Sequence, residues 1–276
     1  MGRDLFDCTP EFSEAEADID GILGYSLRTL CLENPDKKLQ QTQYTQPALY
    51  VVNYLHYCKA TRDGRSPEII AGHSLGEYNA LQAAGAFDLL DGLRLVKRRG
   101  ELMARAKNGA MAAIIGLPAK RIEDVLRSSG LSTIDVANYN APAQTVISGP
   151  VEAIARAEDA FRGADVRLFV RLPVSAAFHS RYMAEAAAEF RTFLKTFKFR
   201  DLQTQVMSNV TGRPYPEGST DGIIKARLAE QIVSPVRWET TIQYLKGRGE
   251  TEFLELGPGT VLTKLNQQIL AEPTLH

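Results

Sequence analysis

Cysteine and histidine are scarce in this chain: three of the first and four of the second among 276 residues. The cysteines (Cys8, Cys31, Cys58) are odd in number and far apart. A disulfide-stapled scaffold is therefore excluded, and reduced thiols are expected. No C-x-x-C pair occurs and the histidines are scattered, so no metal site is expected. An excess of either charge is missing too: 32 Lys and Arg face 33 Asp and Glu, a net charge of −1. Nothing there neutralises a phosphate backbone, which excludes nucleic acid as a partner. No apolar run approaches the ~20 residues of a membrane span, so no membrane partner is expected. The longest runs, such as Met111–Leu117, suit buried strands. Met1-Gly2-Arg3-Asp4 has no apolar core of the secretory kind, and a cytoplasmic protein is expected. What is present is ordinary: 44% apolar and 24% charged residues, the balance of a globular fold with a large core.

The pattern along the chain alternates helix and strand. A helix is predicted over Ala15–Leu30. A second is signalled by Thr45-Gln46-Pro47, a polar cap with an early proline whose missing N–H costs nothing there, and it runs to Ala60. Glu68-Ile69-Ile70-Ala71 reads as a strand, ends at Gly72-His73-Ser74-Leu75-Gly76, and gives way to a helix from Glu77. Asp91–Ala106 is helical. Then the grammar changes: strand Met111–Leu117, helix Lys120–Ser128, strands Thr133–Ala137 and Gln144–Ser148, helix Val151–Arg162, strand Val166–Val170. That order, βαββαβ, is ferredoxin-like. After Pro173 come a helix over Arg181–Phe197, a strand over Gln205–Ser208 and a helix over Ile223–Val233. A strand over Phe253–Leu256 and a last helix after Gly257-Pro258-Gly259 complete the pattern. The expected fold is α/β. A large α/β-hydrolase-like domain with a parallel sheet (residues 1–108 and 173–276) carries an inserted ferredoxin-like small domain (residues 109–172).

Strand, glycine-flanked serine and helix form the pattern of a nucleophile elbow. A serine hydroxyl needs a neighbouring base, and the tight turn exposes Ser74 to one. The following N–H, that of Leu75, points where an oxyanion would form, at the positive end of the helix dipole. Among the histidines, His56 sits mid-helix, His276 is terminal, and His73 adjoins Ser74, so its ring is not easily aimed there. His179, in Val174-Ser175-Ala176-Ala177-Phe178-His179-Ser180 ahead of a helix, is left as the base.

On a wheel at about 100° per residue, Arg99 falls within the apolar arc of Leu95, Val96, Leu102, Met103 and Ala106. An inward guanidinium needs an anion. An internal carboxylate and the carboxylate of a substrate, gripped by the bidentate fork, are both open.

The chain resembles the malonyl-CoA:acyl carrier protein transacylases, and more closely the free-standing acyltransferases that serve polyketide synthases. The resemblance rests on Thr45-Gln46-Pro47-Ala48-Leu49, Gly72-His73-Ser74-Leu75-Gly76-Glu77, Arg99-Gly100, Gly109-Ala110-Met111-Ala112-Ala113 and Asn138-Tyr139-Asn140-Ala141-Pro142. It continues through Ala177-Phe178-His179-Ser180, Ser208-Asn209-Val210, Ser234-Pro235-Val236-Arg237-Trp238 and Glu255-Leu256-Gly257-Pro258-Gly259. It implies a ping-pong reaction. Ser74 attacks malonyl-CoA with His179 as base, and the malonyl group then passes to the phosphopantetheine thiol of an acyl carrier protein. It also implies that a backbone carbonyl, here that of Gln231, orients the histidine, and that Arg99 binds the malonyl carboxylate. Phe178 resembles the malonyl-selective form of its motif. No cofactor is implied beyond these substrates.

Two departures stand out. The family begins with a strand and Gly-Gln-Gly-Ser-Gln, whose glutamine is a second oxyanion donor. Met1-Gly2-Arg3-Asp4-Leu5-Phe6 matches the stretch just after it, so that strand and that donor are expected to be absent from this sequence. Ala176 stands where glycine is common. Two rival readings follow. One is an acyl hydrolase that clears stalled acyl chains, although such relatives usually lose the arginine. The other is an impaired scaffold that docks a carrier protein.

Overall fold

The structure, a computed structural model, describes residues 1–218 and 221–272. Short helices open the chain: α1 (Arg3–Phe6), α2 (Pro10–Leu23) and α3 (Leu27–Glu33). The single helix expected over Ala15–Leu30 is thus two. Gly24 ends the first at φ +82°, and the Ser26 side chain caps the second by accepting from the Thr29 N–H. Left-handed glycine followed by a serine cap is the usual grammar of stop and restart. Helix α4 (Thr42–Arg62) begins a turn earlier than the proline suggests, because Thr45 N–H already bonds the Gln41 carbonyl at 2.9 Å. Pro47 therefore lies inside the helix rather than in its first turn.

Strand β1 (Ile69–Ile70) leads through the elbow to α5 (Gly76–Ala83), and α6 (Leu89–Arg105) follows. Asp88 caps α6 by accepting from the Asp91 N–H. Next come β2 (Gly109–Ile115), α7 (Ala119–Ser128), β3 (Asp135–Ala141), β4 (Gln144–Pro150), α8 (Val151–Arg162) and β5 (Leu168–Arg171). The remaining elements are α9 (Ala184–Leu194), β6 (Gln205–Ser208), β7 (Arg213–Pro214), α10 (Asp221–Gln231), β8 (Val236–Arg237), α11 (Trp238–Gly247) and α12 (Val261–Ala271).

Two sheets result. Strands β5-β2-β4-β3 stand in ferredoxin-like order with every neighbouring pair antiparallel. The third of the expected strands, placed at Thr133–Ala137, lies further along at Asp135–Ala141, since Leu131 and Ile134 turn in to cover the helices. Alternation along β2 sends Ala112 and Ile114 to the α7–α8 side and Met111 and Ala113 to the other, as a period of two requires. Strand β8 joins the far edge parallel to β3, so one strand from the 173–276 segment extends the small sheet.

The second sheet is β1-β6-β7, with β1 and β6 parallel (Ile69 opposite Gln205) and β7 antiparallel. Among the described residues, parallel pairing within the large part is thus limited to one short ladder. Phe253–Leu256, expected as a strand, is not one, for no described strand pairs with it. The helix expected over Arg181–Phe197 is a 3₁₀ turn (Arg181–Met183) leading into α9, which ends at Leu194. The main core gathers Phe6, Phe12, Tyr50, Tyr78, Leu93 and Phe190 around α4, α6 and α9. No helix among the described residues is long and apolar enough to cross a membrane.

Close backbone packing at Gly109 helps join the small sheet to the segment that leads to His179. A Cβ on Gly109 would meet the Ala177 nitrogen at 2.2 Å and the Ala176 carbonyl carbon at 2.7 Å. Both are backbone and cannot swing aside. Gly109→Ala is expected to destabilise by about 1–3 kcal/mol, read as a fall of roughly 2–6 °C in Tm. An unchanged melting curve would show that this junction is loose.

Candidate active site

The elbow is built by close approach. Gly72 lies so near the start of α5 that a Cβ there would sit 2.0 Å from the Gly76 carbonyl carbon. Ser74 takes φ +51°, a strained backbone for a residue with a side chain. Asn209, just after β6, clamps the turn from both sides. Its Oδ1 accepts from the Ser74 N–H at 2.6 Å, and its Nδ2 donates to the Gly72 carbonyl at 2.6 Å. Leu75 stands at the N-terminus of α5, where main-chain donors have no intrahelical acceptors.

His179 reaches this serine. Its Nε2 is 2.8 Å from Ser74 Oγ, and its Nδ1 lies 2.9 Å from the Gln231 carbonyl and 3.2 Å from that of Ser234. A proton on Nδ1 satisfies those two carbonyls and leaves Nε2 free to accept from the serine. Like Ser74, His179 is held at positive φ, +56°. It is 5% exposed, and burial together with the Arg99 charge pushes its pKa down to about 3. The imidazole is therefore neutral, the form a general base needs.

Arg99 does point inward and is 1% exposed. It makes no ion pair within 4.0 Å among the described residues. It donates instead to Gln46 Oε1 at 2.6 Å, Gln231 Oε1 at 3.1 Å and Ser74 Oγ at 3.2 Å. Its guanidinium lies over the Tyr78 ring, 5.5 Å from the centroid. The open choice between an internal carboxylate and another anion is thereby narrowed: no carboxylate among the described residues touches it. Phe178 is half-buried and packs on both the main core and the inner face of the small sheet. Gln231 is fully buried, and its Nε2 donates to the Ser74 carbonyl at 2.9 Å and to Glu77 Oε2 at 2.6 Å.

His73 turns away from Ser74, its Nε2 2.8 Å from Asn140 Oδ1 on β3 and its ring beside Trp238. His56 lies on α4, outside the site, and His276 is outside the described residues. A cleft of about 730 Å³ opens onto His179 between the small sheet and the start of β8, lined by Asp135, Tyr139, Arg181, Val233 and Pro235 among others. No group of three or more His, Cys, Asp or Glu among the described residues is placed to hold a metal ion. Sequence reasoning missed Gln46, Glu77 and Asn209 as members of the site. Each lies in a quoted motif, yet Gln46 and Glu77 read as part of a helix start and Asn209 as part of a turn between strands.

A half-buried serine on a strained elbow, paired with a buried histidine and with a helix N-terminus beneath and a buried cation beside it, is equipped for acyl transfer through an ester. The family model of the acyl transferase domain matches residues 1–274. This chain belongs to that family. Among its acyltransferase relatives is the polyketide biosynthesis malonyl CoA-acyl carrier protein transacylase BaeC of Bacillus velezensis, 53% identical over 99% of this chain and 92% of that one. A crystal structure of a malonyl CoA-acyl carrier protein transacylase from Burkholderia pseudomallei is 48% identical. It superposes with a TM-score of 0.92, covering 99% of this chain and 94% of that one. A type II polyketide malonyl-transacylase solved in complex with its acyl-carrier protein is 34% identical, with a TM-score of 0.91 over 98% of this chain and 88% of that one. The acyltransferase fold, with its parallel elements and ferredoxin-like sheet, is therefore that of the transacylases.

The depressed His179 pKa carries a pH consequence. A base that protonates only near 3 stays competent well below the usual imidazole range. The rate of serine acylation by a neutral acyl thioester is expected to show no inflection near pH 6.5 and to stay level down to about pH 5. A stopped-flow or quench profile with a midpoint between 6 and 7 would mean that water reaches the imidazole.

Proposed function

We propose that this protein is a malonyl-CoA:acyl carrier protein transacylase that supplies malonyl units to a polyketide synthase. The observation that carries the reading is Arg99: a buried cation, 3.2 Å from the nucleophile, with no carboxylate within 4.0 Å among the described residues. Malonyl-CoA brings a free carboxylate at the end opposite the thioester. The fork of Arg99 suits its two oxygens, and guanidinium remains charged at neutral pH.

In the first half-reaction His179 Nε2 takes the Ser74 proton as Oγ attacks the thioester carbon. The resulting oxyanion faces the Leu75 N–H and the positive end of α5. Collapse breaks the C–S bond, CoA leaves with the proton from His179, and a malonyl-serine ester remains. In the second half-reaction the phosphopantetheine thiol of an acyl carrier protein gives its proton to His179 and attacks the ester. Ser74 is regenerated and malonyl-carrier protein leaves. The carbonyls of Gln231 and Ser234 keep the ring in place throughout, and Phe178 packs beside the acyl site.

Base, oxyanion donors and a pre-activated thioester suffice, so the reaction needs no metal or redox cofactor. Activity is expected to survive exhaustive chelation. The balanced charge and the thiols accord with a cytoplasmic enzyme acting on carrier protein and CoA, with neither nucleic acid nor membrane. The hydrolase reading is disfavoured by Arg99, and the inert-scaffold reading by a dyad already at hydrogen-bond distance.

Ser74→Ala is expected to abolish the acyl-enzyme formed from labelled malonyl-CoA while the fold survives. Label on the variant would remove Ser74 from the mechanism. Arg99→Ala is expected to lower the malonyl-to-acetyl ratio of kcat/KM by about 10²–10³, with Arg99→Lys recovering only part, since one ammonium cannot grip both oxygens. An unchanged ratio would make Arg99 a structural cation and favour the hydrolase.

A further inference from the structure

Glu77 is a fully buried carboxylate that the acyl-transfer steps leave unused. It lies in α5, one turn beyond the nucleophile. Its Oε1 accepts from the Tyr215 hydroxyl at 2.7 Å. Its Oε2 accepts from Gln231 Nε2 at 2.6 Å and from the Asn209 N–H at 3.3 Å. The other end of the same amide, Gln231 Oε1, accepts from Arg99. Carboxylate, amide and guanidinium thus form one chain, and one side-chain amide separates the buried anion from the buried cation. Among the described residues no carboxylate lies within 4.0 Å of Arg99.

We propose that Glu77 is a positioning residue that sets carboxylate selectivity: through Gln231 it is the counter-charge of Arg99, and its charge state governs how strongly Arg99 holds the carboxylate of an incoming acyl group. The inference rests on the transacylase reading given above. When Glu77 is ionised, part of the Arg99 field is already spent, and a second carboxylate enters against a like charge. When Glu77 is neutral, the full cation faces the substrate. An acyl group without a carboxylate does not distinguish the two states.

The surroundings bring the switch into the working range. Burial pushes the Glu77 carboxyl up to about 7, against the lowering pull of Tyr215, Gln231, Asn209 and Arg99. Six titratable groups on the elements around it keep their charge there. Tyr50 on α4, Tyr78 on α5 and Tyr215 after β7 are pushed up by burial and stay neutral. His73 and His179 are pushed down by burial and are neutral as well. Arg99 on α6 is lowered by burial and stays cationic. Binding linkage then requires reciprocity: whatever malonyl does to the Glu77 proton, the proton does to malonyl.

The test is the ratio of kcat/KM for serine acylation by malonyl-CoA and by acetyl-CoA, measured from pH 6 to 8.5. Taking the ratio cancels titration of the CoA phosphates and of the dyad. In the wild-type protein the ratio is expected to fall about tenfold as pH rises through 7, the size of one unit of coupling. Glu77→Gln keeps the acceptor for Gln231 and loses the charge. Its ratio is expected to be level across the range, at the low-pH value of the wild type. Tyr215→Phe removes a donor to the carboxylate and is expected to move the fall to higher pH by about a unit. A level wild-type ratio overturns the proposal, and so does a fall that persists in Glu77→Gln. Should that variant not fold, an unshifted fall in Tyr215→Phe overturns it instead. Failure of the wild type to load malonyl on Ser74 would refute the transacylase reading. Loading with a level ratio would refute this inference alone.

Discussion

A positive charge held out of water without an ion pair is the constraint around which the site is arranged. Taking Arg99 into the core is costly, and neutral partners recover only part of that cost. The fold supplies them from three distant segments: Gln46 near the start of α4, Ser74 at the elbow and Gln231 at the end of α10. Each is itself fixed. Gln46 is held by Thr42, Ser74 by Asn209, and Gln231 by Glu77. The cation therefore aligns the nucleophile with the helix that orients its base, and it stands ready for an anion that the chain does not provide.

Gln231 is the junction of this arrangement. It is the last residue of α10, where carbonyls have no intrahelical donor. Its carbonyl is consequently free to accept from His179, while its side chain bonds Ser74, Glu77 and Arg99. One residue thus serves the base through its backbone and the nucleophile, acid and cation through its amide. No aspartate is needed behind the histidine, because a helix terminus presents oxygen lone pairs at a fixed position.

The small sheet holds the two halves of the dyad in register. Strand β3 contacts the elbow through Asn140 and His73. It contacts the His179 loop through Asp135, which accepts from both the Arg181 backbone at 2.9 Å and its guanidinium. It also pairs with β8, which follows the Ser234 carbonyl that faces His179. An exposed ion pair such as Arg181–Asp135 is worth little alone. Here it acts with a backbone bond and a parallel ladder, so orientation rather than stability is its main effect.

Local chemistry alone determined much of this protein. Two glycines, a serine and the strand–helix change around them predict the elbow, because tight turns impose their demands within five residues. The ferredoxin-like order is legible because periods of two and 3.6 leave clear marks over 10-residue stretches. The inward face of Arg99 follows from helical spacing. His179 emerged by elimination, and the implied carbonyl of Gln231 by resemblance. Only the tertiary structure decided what Arg99 touches, since its partners come from positions 46, 74 and 231, and no local pattern encodes meetings across such separations. The same reason hid Glu77 and Asn209, whose burial depends on β6, β7 and α10 closing over α5. It also explains Phe253–Leu256, which reads as a strand from its composition. A strand exists only where a neighbouring ladder accepts it, and that is a property of the assembled sheet rather than of the segment.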